Sequence, residues 1–501
     1  MRNTGVEIKQ EQARSTICNT RFFELKQMLA LLFFLFAALP AASQSAGGPA
    51  KRLYVETFAT KVGAEELQED VTEEVRKFHS VTLTRDLSDA DLILGGGGEI
   101  WIKSYRSFSA RSHMKLPTNG TPIYGGYLSV ELKNKAGETL WSYLVTPGAG
   151  SDDITKDLSK KIAKHLFAAL NQVETARPSK PDPRPALALT GAGATFPYPV
   201  YQKWFTNYRI GDPQTRITYD AVGSEAGIRK LLERSVDFGA SDSPDAIHEL
   251  APGDEGNYLF FPSVIGAVVP IANLPGVGQD IAFTPEALAG IFLGKITKWN
   301  NPVLKAANRG LNLPDLDIVV VHRADGSGTS YAWTRFLSMT SPMWRSDIGA
   351  SLTPRWPVGR AATGNEGVAG MVKELGGSIG YVEYIYALQN HLSYGRVRNQ
   401  NGEFVEASLE SIAAAVGHPA DIPEDFRISV INAPGAGAYP ITTFTWLVTP
   451  AHIADEAKRN ATTAFLRWML GPGQRQAAAL GYLALPKEIV TKEEDAISKI
   501  H

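Results

Sequence analysis

Cysteine is almost missing from this chain: 501 residues hold one, Cys18. That excludes an internal disulfide framework and any thiolate metal cluster. Histidine is sparse at nine residues, and none of them forms an HxH or HExxH pair, the spacings that would signal a zinc site. An excess of charge of one sign is also absent. Lys plus Arg is 50 against 52 for Asp plus Glu, a formal charge of −2, so the chain lacks the basic footprint of a nucleic-acid binder. Long apolar runs are lacking too. The longest, residues 28–42, is shorter than the ~20 residues needed to span a bilayer comfortably. What is abundant is glycine (46) and proline (30), within an ordinary globular composition of 44% apolar and 20% charged residues. The length calls for two to four compact units.

The apolar run MLALLFFLFAALPAA follows Lys26 and ends in Pro40 and small residues, with Ala41 and Ser43 where a signal peptidase needs them. Residues 1–43 are therefore read as a signal peptide, with an uncleaved anchor as the alternative. No cysteine follows the run, so no lipoprotein attachment point exists, and Cys18 would leave with the leader. A mature chain without cysteine suits an oxidising envelope compartment. The expected product is exported, periplasmic and soluble.

Residues 174–186, ETARPSKPDPRPA, form a proline-rich strut of the polyproline type. It separates a unit at 51–173 from a larger one at 187–501. The smaller unit opens with a strand at Arg52–Phe58 and a helix at Ala64–Phe78, with Ala64, Leu67, Val71, Val75 and Phe78 on one stripe. Strands follow at Val81–Arg85, Leu92–Lys103, Gly125–Asn134 and Thr139–Thr146, the last two turning at Lys135-Ala136-Gly137, and then a helix at Ile154–Leu170. This predicts a small α+β domain, one sheet covered by two helices. Its glycine run Gly95–Gly98 is no phosphate loop, because no Gly-Lys-Ser/Thr follows and the run continues into strand. A bulged or closely packed strand is expected instead. The role of this unit is not legible.

From Leu187 onward strands and helices alternate as in a parallel α/β sheet. Three strands end in Gly/Ser/Thr-rich turns just before a helix: Thr190–Pro197, Val222–Gly227 and His322–Ser330. A fourth strand end, Ala240-Ser241-Asp242, contributes a carboxylate. Helix-initial amides lack internal partners and sit at the positive end of the helix dipole, glycine allows close backbone approach, and hydroxyls add donors. Arg323 adds a guanidinium fork matched to an oxyanion. Together they point to an anion site.

The segments GAGATFPYPVYQKW, VGSEAG, DFGASDSP, HRADGSGTS, GSIGYVEY and YPITTFTW, in that order, resemble the phosphate-binding protein of the bacterial high-affinity phosphate ABC transporter, over essentially all of 187–501. The resemblance implies a two-lobed periplasmic-binding fold with a hinge, closing over inorganic phosphate held by hydrogen bonds. Lobe I would be about 187–268 with 440–501, and lobe II about 270–438, with crossings near Ala267–Pro270 and Ala438–Ile441. It carries ligand roles to Thr195 and the Phe196 amide, Ser224, Asp242, Arg323, Ser327, the Gly328 amide and Thr329, with Asp325 orienting Arg323. It implies a membrane permease as partner, a monomer, no cofactor and no metal. One departure is Glu225-Ala226, where the family has a further serine and a glycine; Glu225 is expected to face solvent.

An enzyme is the first rival, but no Gly-x-Ser-x-Gly elbow surrounds Ser224 or Ser327, and His322 is expected to point away from the site. A sensor or adaptor whose N-terminal unit docks a partner is the second, and another tetrahedral oxyanion the third. Asp242 argues against the third, because its carboxylate can accept a hydrogen bond from the proton that phosphate carries and sulfate lacks. The leader yields a direct prediction. Intact-mass analysis of secreted material should give a chain beginning near Gln44 or Ser45, whereas Met1 retained in membranes would contradict the signal-peptide reading.

Overall fold

The computed structural model describes residues 51–60, 63–78, 80–106, 121–135, 137, 139–148, 153–175, 187–277, 281–417 and 422–501. The leader, residues 176–186 of the proline-rich strut and Ala136 of the hairpin turn lie outside the described residues. Among the described residues no helix is long and apolar enough to cross a membrane.

In the N-terminal part, strands β1 (Lys51–Val55), β2 (Val81–Leu83), β3 (Leu92–Arg106), β4 (Thr121–Asn134) and β5 (Thr139–Val145) form one sheet in the order β2-β1-β3-β4-β5. Helices α1 (Ala64–Val75) and α2 (Ile154–Thr175) cover it. The second helix thus runs two residues into the segment read as linker, which begins at Glu174. The core follows the two periodicities: Leu67, Val71 and Val75 from α1 and Leu158, Ile162 and Leu166 from α2 meet Leu53, Leu94, Val130 and Leu132 from alternate strand positions. The glycine run lies inside β3. Ala59 passes against it, accepting from Gly98 and donating to Gly96, and a Cβ on Gly97 would stand 3.1 Å from that of Ala59. Close packing explains the run; the register shift in this strand falls later, between Ile102 and Ser104.

The larger part is a nine-stranded sheet. Strands β6 (Leu187–Gly193), β7 (Thr215–Asp220), β8 (Phe238–Ser241), β9 (Tyr258–Ala272), β10 (Val319–Arg323), β11 (Arg360–Ala362), β12 (Ser378–Glu383) and β13 (Thr442–Pro450) run in the order β11-β10-β12-β9-β13-β8-β6-β7. The ninth, Ser393–Tyr394, pairs with β9. The pairs β6/β7, β6/β8, β10/β11 and β10/β12 are parallel, as the alternation predicts. The sheet as a whole is mixed, with antiparallel pairs beside these parallel ones. The long strand β9 pairs antiparallel with β13 as far as Ala267 and with β12 from Val268 onward. One strand thus belongs to both lobes, and the chain returns beside it where Val268 donates to the Ile441 carbonyl and the Tyr439 hydroxyl to the Val268 carbonyl. A strand that crosses and a strand that returns must run in opposite directions, so the hinge imposes the antiparallel pairs.

The two parts meet on α3 (Tyr198–Gly211), the helix that follows the first glycine-rich turn. Lys203 is only 7% exposed, and its Nζ donates to Ser129 Oγ on β4 and Ser142 Oγ on β5, both at 2.9 Å. Burial lowers the ammonium pKa to about 8, against a smaller upward pull from Glu131. A buried lysine must spend its donors, and here it spends two on the neighbouring sheet. Lys203→Met keeps the stem and removes the donor to both serine hydroxyls, although Ser142 still donates to Asn207 Oδ1. Hydrogen exchange in β4 and β5 should then quicken while β9 and β13 keep their protection. Unchanged exchange would show that the junction rests on other contacts.

Candidate anion-binding site

The turns after β6, β8 and β10 and the start of α4 (Ser224–Leu232) converge at the crossing of the two lobes. Helix α5 (Gly328–Thr340) begins there as well. Every hydroxyl assigned from the sequence is buried: Ser224 and Ser327 are 0%, Thr329 1% and Thr195 8% exposed. Their polarity is the informative feature. Ser224 Oγ accepts from the Gly328 amide at 3.0 Å, and Ser327 Oγ caps α5 by accepting from the Ser330 amide at 3.1 Å. Thr195 Oγ1 and Thr329 Oγ1 accept from Asn365 Nδ2 at 2.9 and 3.3 Å. Each hydroxyl has one lone pair engaged by an N–H, and its single proton is the group available to donate.

Arg323 completes the donor set. Its side chain lies buried, with Nε donating to Asp325 Oδ1 at 2.8 Å and Nη2 donating to Asp325 Oδ2. Nη1 is buried without a hydrogen-bond partner among the described residues. Burial alone would raise the Asp325 pKa, but the Arg323 hydrogen bonds and charge, with the Gly364 amide at 2.9 Å, hold it below the usual carboxylate range. Behind the guanidinium, the Arg323 amide donates to the Tyr381 hydroxyl, and Tyr381 stacks on Trp333 at 5.0 Å. The arginine is therefore fixed with one edge unspent.

Asp242 is 1% exposed and accepts from Thr445 Oγ1 at 2.6 Å through Oδ1. Burial pushes its pKa up to about 7, against the downward pull of Thr445 and Arg323. With Asp325 balancing Arg323, the site has little net positive charge; it would hold an anion by directed hydrogen bonds.

Contacts also run from one side of the cleft to the other. Thr195 to Asn365, Ser224 to Gly328, the Glu225 amide to the Gly326 carbonyl at 3.1 Å and Tyr386 Oη to the Thr195 carbonyl at 2.7 Å join elements on either side of β9. The Gly328 amide, read as a ligand contact, is here spent on Ser224. A side chain at Gly328 would come within 2.6 Å of Ser224 Oγ, so this approach needs glycine. Phe196 is buried against β9, its carbonyl accepting from Tyr482 Oη at 2.6 Å. Glu225 departs from the expected solvent-facing pose: its Oε1 accepts from Arg229 Nη2 at 2.8 Å, and its side chain lies against Gly326. His322 stacks on Trp356 at 5.0 Å, and its Nδ1 lies 3.1 Å from the Arg323 carbonyl. That is a packing role.

Asn365 is the residue that sequence reasoning missed. It is 0% exposed, and its Oδ1 accepts from the Glu383 amide at 3.0 Å while Nδ2 serves both threonines. It sits at the start of α6 (Gly364–Glu374), after Thr363-Gly364, a further strand–turn–helix junction following β11. The signal was present in the sequence in the same form as the other turns.

Fold and cradle define a two-lobed binding protein, and a family model described as a PBP superfamily domain matches residues 172–472. A phosphate-binding protein PstS of Xylella fastidiosa is 42% identical over 312 residues, covering 62% of this chain and 84% of the relative. The PstS of Pasteurella multocida is 40% identical over 311 residues, covering 61% and 89%. A solved structure described as a high affinity periplasmic phosphate-binding protein (PfluDING) bound with phosphate shares the fold, with a TM-score of 0.50 and 22% identity over 62% of this chain and 93% of that one. The chain belongs to the PstS family of phosphate-binding proteins.

The raised Asp242 pKa has a stability consequence. A carboxyl whose folded pKa lies above its unfolded value stabilises the fold below the unfolded pKa, and that contribution is lost as pH rises towards 7. Asp242→Asn should therefore raise the thermal midpoint of ligand-free protein at pH 8 more than at pH 5, with a ceiling of about 4 kcal/mol. Equal shifts at both pH values would contradict the buried-charge account.

Proposed function

We propose that this protein captures inorganic phosphate by hydrogen bonds between its two lobes and delivers it to an ABC-type phosphate importer. It is a binding protein and not an enzyme. The observation that carries the reading is the buried, unspent Arg323 Nη1, in a site whose four hydroxyls each already accept from an N–H. In this reading Thr195, Ser224, Ser327 and Thr329 donate to phosphate oxygens, with the Phe196 and Gly328 amides, and Arg323 supplies the charged contact. The Gly328 amide is shared with Ser224 or released from it when the ligand enters.

Asp242 supplies the discrimination. An ionised carboxylate in an anion site accepts a hydrogen bond from a phosphate O–H, whereas sulfate would place acceptor against acceptor with no water between. The lobes divide about 187–268 with 440–501 and about 270–438, hinging where β9 passes from β13 to β12. The mature chain works in the periplasm as a monomer, free of a lipid anchor, and its partner is the membrane permease of the importer.

Calorimetric titration of the mature chain tests this. Phosphate and arsenate should bind at pH 8, and sulfate should bind at least tenfold more weakly, by a margin that grows as pH rises further above the Asp242 pKa. Tight sulfate binding, or none of phosphate, would overturn the reading.

A further inference from the structure

The phosphate reading leaves one oxygen of Asp242 unexplained. A carboxylate that tests a ligand for a proton needs only one acceptor atom, yet this one has two, both removed from water. Oδ1 is taken by Thr445, whose hydroxyl lies at 2.6 Å and whose side chain is 0% exposed. Thr445 is on β13, which pairs with β8 at Trp446–Ser241, so it falls beside Asp242 just beyond the paired residues. Its backbone is held separately. The β9/β13 register shifts between Thr445 and Trp446, where Pro262 faces Trp446, and the Ser263 hydroxyl donates to the Thr445 carbonyl at 3.0 Å. Tyr201 Oη in turn donates to Ser263 Oγ at 2.8 Å. The β-branched side chain on this fixed backbone has few rotamers.

We propose that Thr445 is a specificity-determining residue of this site: by donating its only proton to Oδ1, it commits Asp242 to accepting and leaves Oδ2 as the atom that tests the ligand for a proton. The proposal rests on the phosphate reading and adds to it a positioning residue outside the ligand shell. Without the Thr445 donor, Oδ1 is a buried acceptor with nothing to accept, and the carboxyl relieves this by taking a proton. A neutral Asp242 carries an O–H, and that O–H can donate to a fully ionised oxyanion. Exclusion of sulfate then fails.

The other groups facing Asp242 bound the effect. Arg323 of β10 favours its ionised form. Glu383 at the end of β12 opposes it, and Tyr201 of α3 and Tyr219 of β7 each register its charge. The Asp242 amide approaches Ser224 Oγ at 3.5 Å from α4. None of these replaces a hydroxyl donor on Oδ1. Thr445 also lowers the Asp242 pKa, in the direction the proposal needs.

Sulfate is the appropriate probe because it carries no proton between pH 5 and 9, so any pH dependence belongs to the protein. Its affinity is measured by calorimetry across that range for the unmutated chain, Thr445→Val and Thr445→Ser, with phosphate titrated alongside. Thr445→Val removes the donor at nearly constant shape. A hydrogen bond to a charged group is worth about one pKa unit or more. The sulfate profile of Thr445→Val should therefore move to higher pH by about one unit, giving roughly fivefold tighter sulfate binding at pH 8 and approaching tenfold at pH 9. Thr445→Ser should restore the original profile. Should Thr445→Val not fold, Thr445→Ala carries the same expectation. An unshifted sulfate profile, or a parallel loss of phosphate and sulfate affinity without a pH shift, would overturn the proposal. Absence of phosphate binding by the unmutated chain would overturn the underlying reading instead.

Discussion

The geometry around the cleft depends on how Arg323 is held. A free guanidinium beside a flexible loop would offer an anion five donors in many orientations and would lose much of their value in ordering them. Here Asp325 binds Nε and Nη2 from two residues away, Tyr381 accepts from the arginine's own amide, and Gly364 fixes Asp325 from the opposite turn. What remains is one buried edge, Nη1, aimed by covalent geometry. The same ion pair cancels the charge. An anion entering this cleft gains directed hydrogen bonds more than bulk attraction, and that allows a carboxylate such as Asp242 to stand in the same cavity.

Around that edge the hydroxyls behave as a set. Backbone amides fix Ser224 and Ser327, and one asparagine fixes both Thr195 and Thr329. Because Asn365 reaches elements on both sides of β9, the contact that polarises the threonines also joins the lobes. The contact that orients these donors is thus also a contact across the cleft. This couples ligand recognition to the shape an importer would read.

The strand–turn–helix junctions were visible in the sequence because glycine, serine and threonine before a helix have a local meaning, and Arg323 and Asp242 stood beside them. Asn365 had the same local signature but stood beside no arginine or carboxylate of the kind that marked the other turns as a site, its neighbour Glu366 reading as an ordinary first-turn acid. Thr445 was not legible. It lies in a strand buried on both faces, where no alternation tells which neighbour a hydroxyl meets. Lys203 was hidden for the opposite reason, since a lysine on an amphipathic helix reads as solvent-facing until another sheet packs over it. The direction of β9 and β13 was equally out of reach, being set by the crossing between lobes and not by any property of the strands themselves.

A crystal structure with phosphate bound tests the central claim most directly. The account predicts the anion between the turns after β6 and β10, with Arg323 Nη1 and the four hydroxyls within hydrogen-bond distance, and with one Asp242 oxygen on the anion while the other still accepts from Thr445. An anion bound away from Arg323 Nη1, or an Asp242 turned away from it, would contradict the account.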